Sequence, residues 1–319
     1  MIDLNETLPS VLDTLSRTRE RPDRASLCCL SNLDAAEAER VSAVWADLPA
    51  DLRAESTSRL AQMAEADFTL NFDAVFRIAI DDEDPRVRQI AIEGLWEDED
   101  VRLVPRLARC LKEDESPQVR AAAATSLGRF ILLGELEKIR EQPRRIAYEA
   151  LLEAHQAEGE HVEVQRRALE SLAYVSDEDV VRSIRASCDS SSEKMRISAI
   201  FSMGRSADRR WQTEVQRELY STNPEMRYEA ARACGELQIS QAVSMLEELT
   251  EDTDAEVQQT AIWALGQIGG DRARDILELY CHSDDDALRS AAEAAISEFE
   301  FLHGDLEEVF AELSDEIDW

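Results

Sequence analysis

The sequence predicts an all-α solenoid of about eight stacked helical hairpins. Three observations predict it. A pattern of apolar and small residues recurs with a period near 31 residues, and alanine holds the same register position in every copy. Ala, Leu, Glu and Arg, all good helix formers, dominate the composition. Gly and Pro number only 10 and 8 in 319 residues, too few for an architecture rich in β-turns.

The period is anchored on the first apolar residue of each copy. The anchors are Val87, Val119, Val164, Met195, Met226, Val257 and Leu288, at steps of 32, 45, 31, 31, 31 and 31. Four residues on stand Ala91, Ala123, Ala168, Ala199, Ala230, Ala261 and Ala292. Eight on stand Leu95, Leu127, Leu172, Met203, Cys234, Leu265 and Ile296. Spacings of four and eight lie on one helix face. The large–small–large stripe lets a neighbouring backbone approach over the alanine.

The residue after this stripe is glycine at Gly128, Gly204, Gly235 and Gly266, which suggests a helix end with a left-handed residue. An Asp, Ser, Thr or Asn preceding the stripe suits a helix cap. Pro85, Pro117 and Pro224 suit the first turn, where a missing N–H costs nothing. Second amphipathic segments lie between these helices, at 101–113, 179–188, 211–221, 240–251 and 272–283. The unit is therefore helix A, a turn, and helix B. Neither helix buries its apolar face alone, so the units must stack.

The consensus D-x-x-P-x-V-R-x-x-A-x-x-x-L-G resembles the short bacterial HEAT repeat, of the type also named for phycobilisome lyases, over about residues 68–302. The resemblance implies an α-solenoid. It also implies a ladder between successive units, made by the Arg after each anchor and the capping Asp. Arg88, Arg120, Arg196, Arg227 and Arg289 match that Arg, whereas Gln165 and Gln258 depart from it, so two gaps in the ladder are expected.

Elsewhere the period breaks. The 45-residue step places an insertion near 130–161, with a short extra helix expected at about 134–141 and a longer A helix from near Pro143. Partner binding and a local change of curvature both remain open for it. Residues 1–67 are expected to form a divergent N-terminal helical cap, with a degenerate unit at 48–63 in which Ser56 replaces the alanine between Leu52 and Leu60. Arg17, Arg19, Arg21 and Arg24 form a local basic cluster, which either balances nearby acids or meets an acidic partner. After the solenoid, 303–319 reads as an acidic amphipathic tail with Leu306, Val309, Phe310, Leu313 and Ile317 on one stripe. Capping, docking and fraying are all open for that tail.

The formal net charge is −33, from 68 acidic and 35 basic side chains. Such a surface repels phosphate backbones, which argues against direct nucleic-acid binding, and it attracts basic partners. No run approaches the roughly 18 apolar residues of a membrane span. The N-terminus lacks the basic and apolar regions of a signal peptide, and the six cysteines form no C-x-x-C pair. A reducing, cytoplasmic setting is expected.

Motifs that carry chemistry are absent: no P-loop, no G-x-G-x-x-G, no G-x-S-x-G. The four histidines, His155, His161, His282 and His303, form none of the His-Glu pairs that hold iron in the HEAT-fold hydroxylase acting on deoxyhypusine. His155 and His161, flanking Glu158 and Glu160, come nearest to a metal cluster. No catalytic, metal-binding or cofactor-binding residue is assigned, and no cofactor is expected.

Positions two and six after each anchor should point away from the packing stripe. The candidate partner-binding residues there are Arg166, Ile197, Phe201, Tyr228, Arg232 and Trp263, alongside Glu170 and Gln259. Phe201, Tyr228 and Trp263 fall in three consecutive units and could form an aromatic ridge flanked by arginine, a composition common in interfaces. Packing of Trp263 between helices is the competing reading. The expected function is a non-catalytic scaffold or adaptor binding a protein or peptide with a basic surface. Two alternatives stand beside it: a phycobilin lyase-like enzyme acting on a phycobiliprotein, which the resemblance implies, and an acidic mimic of nucleic acid, which rests on net charge alone.

Overall fold

Side-chain caps start the helices where the sequence places them. In the computed structural model, which describes residues 7–18 and 21–303, Asp84, Ser116, Ser192, Asn223 and Asp254 each accept a backbone N–H of the first turn of a B helix. Pro85, Pro117 and Pro224 open their helices. No strand occurs among the described residues, and none of their helices is long and apolar enough to cross a membrane.

The described residues fall into two compact units, which meet at Leu172 and Ala173 in the sequence. The first begins with helices Leu8–Thr18 and Arg24–Cys28. Four A/B pairs follow: Ala35–Trp45 with Ala50–Ala66, Asp73–Ala79 with Pro85–Gly94, Val104–Glu113 with Pro117–Glu135, and Glu141–Gln156 with Val162–Leu172. The second unit also holds four pairs: Glu178–Cys188 with Glu193–Arg205, Gln212–Glu218 with Pro224–Glu236, Val243–Leu249 with Ala255–Ile268, and Asp271–Tyr280 with Asp286–His303. Within each unit, every B helix packs on the next B helix.

The core follows the sequence period. All seven alanines of the stripe, Ala91 to Ala292, are completely buried. The residues eight after the anchors are buried too, except Ile296, which is half-buried like its anchor Leu288. The degenerate unit packs in the same way, with Leu52, Ser56 and Leu60 all buried.

The glycines after the stripe do not end their helices. Gly128, Gly204, Gly235 and Gly266 all lie inside B helices. Their role is close approach. A Cβ on Gly128 would lie 3.2 Å from the Ser171 backbone, one on Gly204 2.9 Å from that of Ala233, one on Gly235 3.0 Å from that of Ala264, and one on Gly266 2.8 Å from the Ala295 carbonyl. Each neighbour is the small residue seven after the anchor of the next B helix. Left-handed backbone appears instead at turn residues such as Glu137, Ala207 and Gln238.

The insertion contains no separate extra helix. Its residues lengthen the elements on either side: the B helix runs on to Glu135, and a 16-residue A helix begins at Glu141, with Pro143 in its first turn. Ile131 and Leu133 are buried on the extension, and the chain then turns through 136–140, with Glu137 in the left-handed region, so these residues form a turn where the short helix was expected.

The arginine ladder is present, with a different set of rungs from the one expected. Arg88 donates from Nε and Nη2 to Asp114 at 2.7 and 2.8 Å, while its Nη1 reaches the Asp82 carbonyl at 2.8 Å. Arg227 repeats this geometry with Asp252 and the Ser221 carbonyl. Arg120 repeats it with Glu160 and the Asp114 carbonyl. Each guanidinium thus ties its own A–B turn to the turn of the next pair. The degenerate unit supplies a further rung, since Arg53 grips Asp82 at 2.7 and 2.9 Å and both side chains are buried.

Gln165 and Gln258 lose the carboxylate half of the rung but keep the backbone half, donating to the Ala157 and Asp252 carbonyls. A third gap arises at Arg196. The place of the acceptor aspartate is taken by Ser221, so Arg196 keeps the Ser190 carbonyl at 2.9 Å and approaches Glu193 only at 3.9 Å.

The remaining charged and thiol groups named from the sequence find local roles. Arg17 pairs with Asp13 and Arg21 with Glu55. Arg19 and tail residues 304–319 lie outside the described residues. Cys110 and Cys234 are buried, and the other four cysteines are half-buried. Burial pushes the Cys234 thiol up to about 12, which keeps it protonated and unreactive.

Two outcomes follow. Gly235→Ala should destabilise the protein by about 1–3 kcal/mol in urea denaturation, because its Cβ would meet both the Trp263 ring, at 2.8 Å, and the Ala264 backbone. In a Trp263→Ala background the cost should shrink without vanishing, since the Ala264 contact remains. Hydrogen bonds from Arg227 hold the Asp252 carboxyl below its ordinary range, so the fold favours the ionised form. That contribution is complete at neutral pH and is lost as pH falls from about 4 through the lowered native value. Asp252→Asn should therefore cost about 1–3 kcal/mol at pH 7, with the gap to wild type closing in acid.

Candidate partner-binding grooves

B helices expose the positions that the stacking stripe does not use. In each unit these positions line one groove. In the second unit Tyr228, Arg232, Glu256, Gln259, Thr260 and Trp263 surround a groove of about 470 Å³. In the first, a groove of about 440 Å³ crosses three successive B helices and is lined by residues that include Gln89, Ile92, Trp96, Ala121, Ala122 and Arg129. Both draw on the same register: the residue before the anchor and those two, three and six after it.

The predicted aromatic ridge divides. Tyr228, Arg232 and Trp263 are half-exposed and meet in the second groove. Trp263 both lines the groove and lays its ring edge on Gly235 of the preceding B helix, so packing and exposure coexist in one side chain. Phe201 is half-buried between two guanidiniums, Arg205 at 5.5 Å and Arg232 at 5.2 Å from the ring centroid.

Both arginines also engage Glu236, at 3.3 and 3.2 Å. Gly204 makes room for this carboxylate, which lies 2.6 Å from where a Cβ would be. Burial pushes Glu236 above the ordinary carboxylate range, and Arg205 opposes that shift. The cluster fixes the Arg232 guanidinium at the groove edge.

Two predicted residues do not reach a surface. Ile197 is buried in its B helix. Arg166 is buried in the first unit, at 3.0 Å from Glu163 and 3.8 Å from Glu170. Each stands two after its anchor, where the helix is still covered; at the same position Gln89, Ala121, Tyr228 and Gln259 line grooves.

Missed in the sequence was the whole first groove. The same register rule gives Gln89, Glu93, Ala121 and Thr125, but these are small or polar and drew no notice. The available signal was Trp96. It occupies the register position where four other B helices carry glycine. A tryptophan cannot pass between stacked helices at that point, and the helix stops at Gly94. Trp96 is left 57% exposed. Arg129 closes this end: it donates to the Trp96 carbonyl and lies 4.9 Å over the Phe130 ring. Burial pulls its pKa down.

The histidines of the insertion serve local structure. His155 Nδ1 lies 3.0 Å from the Gln165 carbonyl, and His161 Nδ1 accepts the Glu163 N–H. Glu160 is pushed up by burial, yet its hydrogen bonds with Arg120 and His161 bring it below its usual range. Among the described residues no group of three His, Cys, Asp or Glu side chains is placed to hold a metal ion.

The HEAT-repeat family model matches residues 72–153 and 214–297. No curated protein matches the chain in sequence. Several solved structures are similar to it. A chain of the Kap95p–RanGDP structure is 12% identical over 93% of this chain and 46% of its own, with a TM-score of 0.50. The Escherichia coli protein YibA is 19% identical over 76% and 96%, with a TM-score of 0.46. The complex of CpcE and CpcF of phycocyanin lyase from Nostoc sp. PCC7120 is 17% identical over 59% and 74%, with a TM-score of 0.44. At these identities the likeness is one of fold. The family model spans more than half of the sequence, on the helix pairs described above, and the chain belongs to the HEAT-repeat family.

Proposed function

We propose that this protein is a non-catalytic scaffold that binds a protein or peptide partner along the exposed face of its B helices. One observation carries the reading. The stacking register turns positions zero, four and eight after the anchors inward, and in both units it leaves a groove lined by positions between and beside them. A repeat built this way offers a rigid surface whose composition varies without disturbing the stack. Aromatic and arginine side chains sit where such a surface needs anchors: Trp96 and Arg129 in one groove, Tyr228, Arg232 and Trp263 in the other.

The proposed partner carries a basic surface. With a net charge of −33, the chain speeds encounter with cationic proteins and repels nucleic acids. The proposed setting is the cytoplasm. The chemistry of the grooves suits recognition better than catalysis. Arg232 is engaged by Glu236 and Arg167 by Glu163 and Glu170, so these cations are committed to shape.

The test is affinity capture with quantitative mass spectrometry from the source cells, comparing wild type with Trp96→Ala and with Phe201→Ala plus Trp263→Ala. Specific partners of the wild type should fall at least about tenfold in one of the two variants, as truncation of an anchor costs upwards of about 1–2 kcal/mol. Undiminished recovery of the same partners by both variants would place binding elsewhere on the molecule.

A further inference from the structure

We infer that the first groove receives an extended, Lys- or Arg-bearing segment of the partner, with one cationic side chain lying on the Trp96 indole among Glu93, Glu97 and Glu99. The inference rests on the scaffold reading and gives its first groove a ligand chemistry.

Exposure is the first observation. Trp96 is one of the few large apolar side chains left more than half exposed, and it stands at the mouth of a groove floored by Ile92, Ala121 and Ala122. The turns after the preceding and following B helices also expose a large apolar residue, Phe68 at 96% and Leu136 at 55%.

Charge is the second. Glu93, Glu97 and Glu99 are exposed, and among the described residues none has a cationic partner within ion-pair distance; Glu93 accepts only the neutral Gln89 amide, at 2.9 Å. The cations nearby are already committed. Arg167 is neutralised by Glu163 at 3.0 Å and Glu170 at 2.7 Å. Arg77 holds Asp98, and Arg102 holds Asp100. Arg129 is the one cation of the lining without an ion pair among the described residues, and its guanidinium is tied to the Trp96 carbonyl and the Phe130 ring. Three unpaired carboxylates against one such arginine leave this rim negative. An exposed indole beside unpaired carboxylates is a receptor for a lysine or arginine head group.

Size is the third. Three stacked B helices, about 8–10 Å apart, span about 16–20 Å. That is the length of about five or six extended residues. The half-buried Gln89 and the exposed Gln118 side chains flank the path and can bond an extended backbone, and the small alanines leave depth for an apolar side chain between cationic ones.

Fluorescence anisotropy with the full chain tests this. The probes are labelled decapeptides alternating Lys or Arg with Ala and Leu, and the same peptides with Glu in place of the basic residues, at about 50 and 150 mM salt. The basic peptides should bind and weaken as salt rises, and the acidic ones should not bind. Trp96→Ala should weaken binding about tenfold. Glu93→Gln with Glu97→Gln and Glu99→Gln should weaken it at least as much and flatten the salt dependence. These side chains are exposed, so folding is not at risk, and circular dichroism checks it.

A triple variant of exposed acids in the other unit, Glu225→Gln, Glu251→Gln and Asp284→Asn, should leave affinity within about twofold. Equal losses in the two triple variants would mean unspecific attraction to an acidic body and overturn the inference. So would equal binding by wild type and Trp96→Ala, or preference for the acidic peptide. If basic peptides fail to bind while captured partners still depend on Trp96, the cationic chemistry is wrong and the scaffold reading survives.

Discussion

Everything in this fold depends on how closely one B helix can approach the next. The alanine four after each anchor, and in four copies the glycine nine after it, remove side-chain bulk along one line, and the backbone of the neighbouring helix fills the space. At Gly204, Gly235 and Gly266 the gap to the next helix is too small for a Cβ. A contact this tight leaves no freedom of register, because sliding by one residue would drive a large side chain into a backbone. The repeat therefore fixes its own spacing, and each A helix covers the other side of the seam.

The arginine ladder works on a different problem. Stacking aligns the helices but leaves the A–B turns with unpaired carbonyls and a row of carboxylates. A single guanidinium meets both needs. Nη1 caps the carbonyl of its own turn, and the Nε/Nη2 edge grips the carboxylate of the next. The carboxylate in turn accepts a backbone N–H two residues on, as Asp82 does from Asp84, Asp114 from Ser116 and Asp252 from Asp254. Where Gln258 stands in for arginine, the turn is still capped but the link between pairs is gone. Local and inter-pair stabilisation are thus separable in this protein, and sequence differences at one position tune the second without harming the first.

The stripe, the caps and the number of helix pairs were legible in the sequence because the stripe is a local pattern repeated seven times and most copies carry a cap, so that irregular copies are outvoted. Three features were not. The glycines read as helix ends because a single chain shows no neighbour, and close approach is a property of two helices. The extra helix expected at 134–141 failed because the B helix takes the chain as far as Glu135 and a turn with Glu137 in the left-handed region follows, a conformation that glutamate does not announce in a sequence. Arg53 escaped notice because its unit lacks the alanine, although the residue after Leu52 stands in the ladder position. Of the candidate site, Tyr228, Arg232 and Trp263 were found by register, while Ile197 and Arg166 share that register but are covered by neighbours that periodicity cannot see.

The first groove shows how a repeat acquires a distinctive surface. Its origin is a tryptophan at the register position where four other B helices carry glycine. Glycine there allows the helix to run on against its neighbour, whereas an indole must leave the seam, and the B helix ends at Gly94 with Trp96 turned outward. The next B helix continues to Glu135, and Ala121, Ala122 and Ser126 on it line the groove beside the shortened helix. The tight packing found elsewhere makes such an opening conspicuous, because a repeat that obeyed the rule throughout would present an unbroken wall. A departure that costs helix length and exposes an indole, yet leaves Ala91 and Leu95 buried in the core, changes the surface while sparing the stack. An indole at this position adds nothing to the seam, and under the scaffold reading proposed above it is the exposed anchor that a partner would meet.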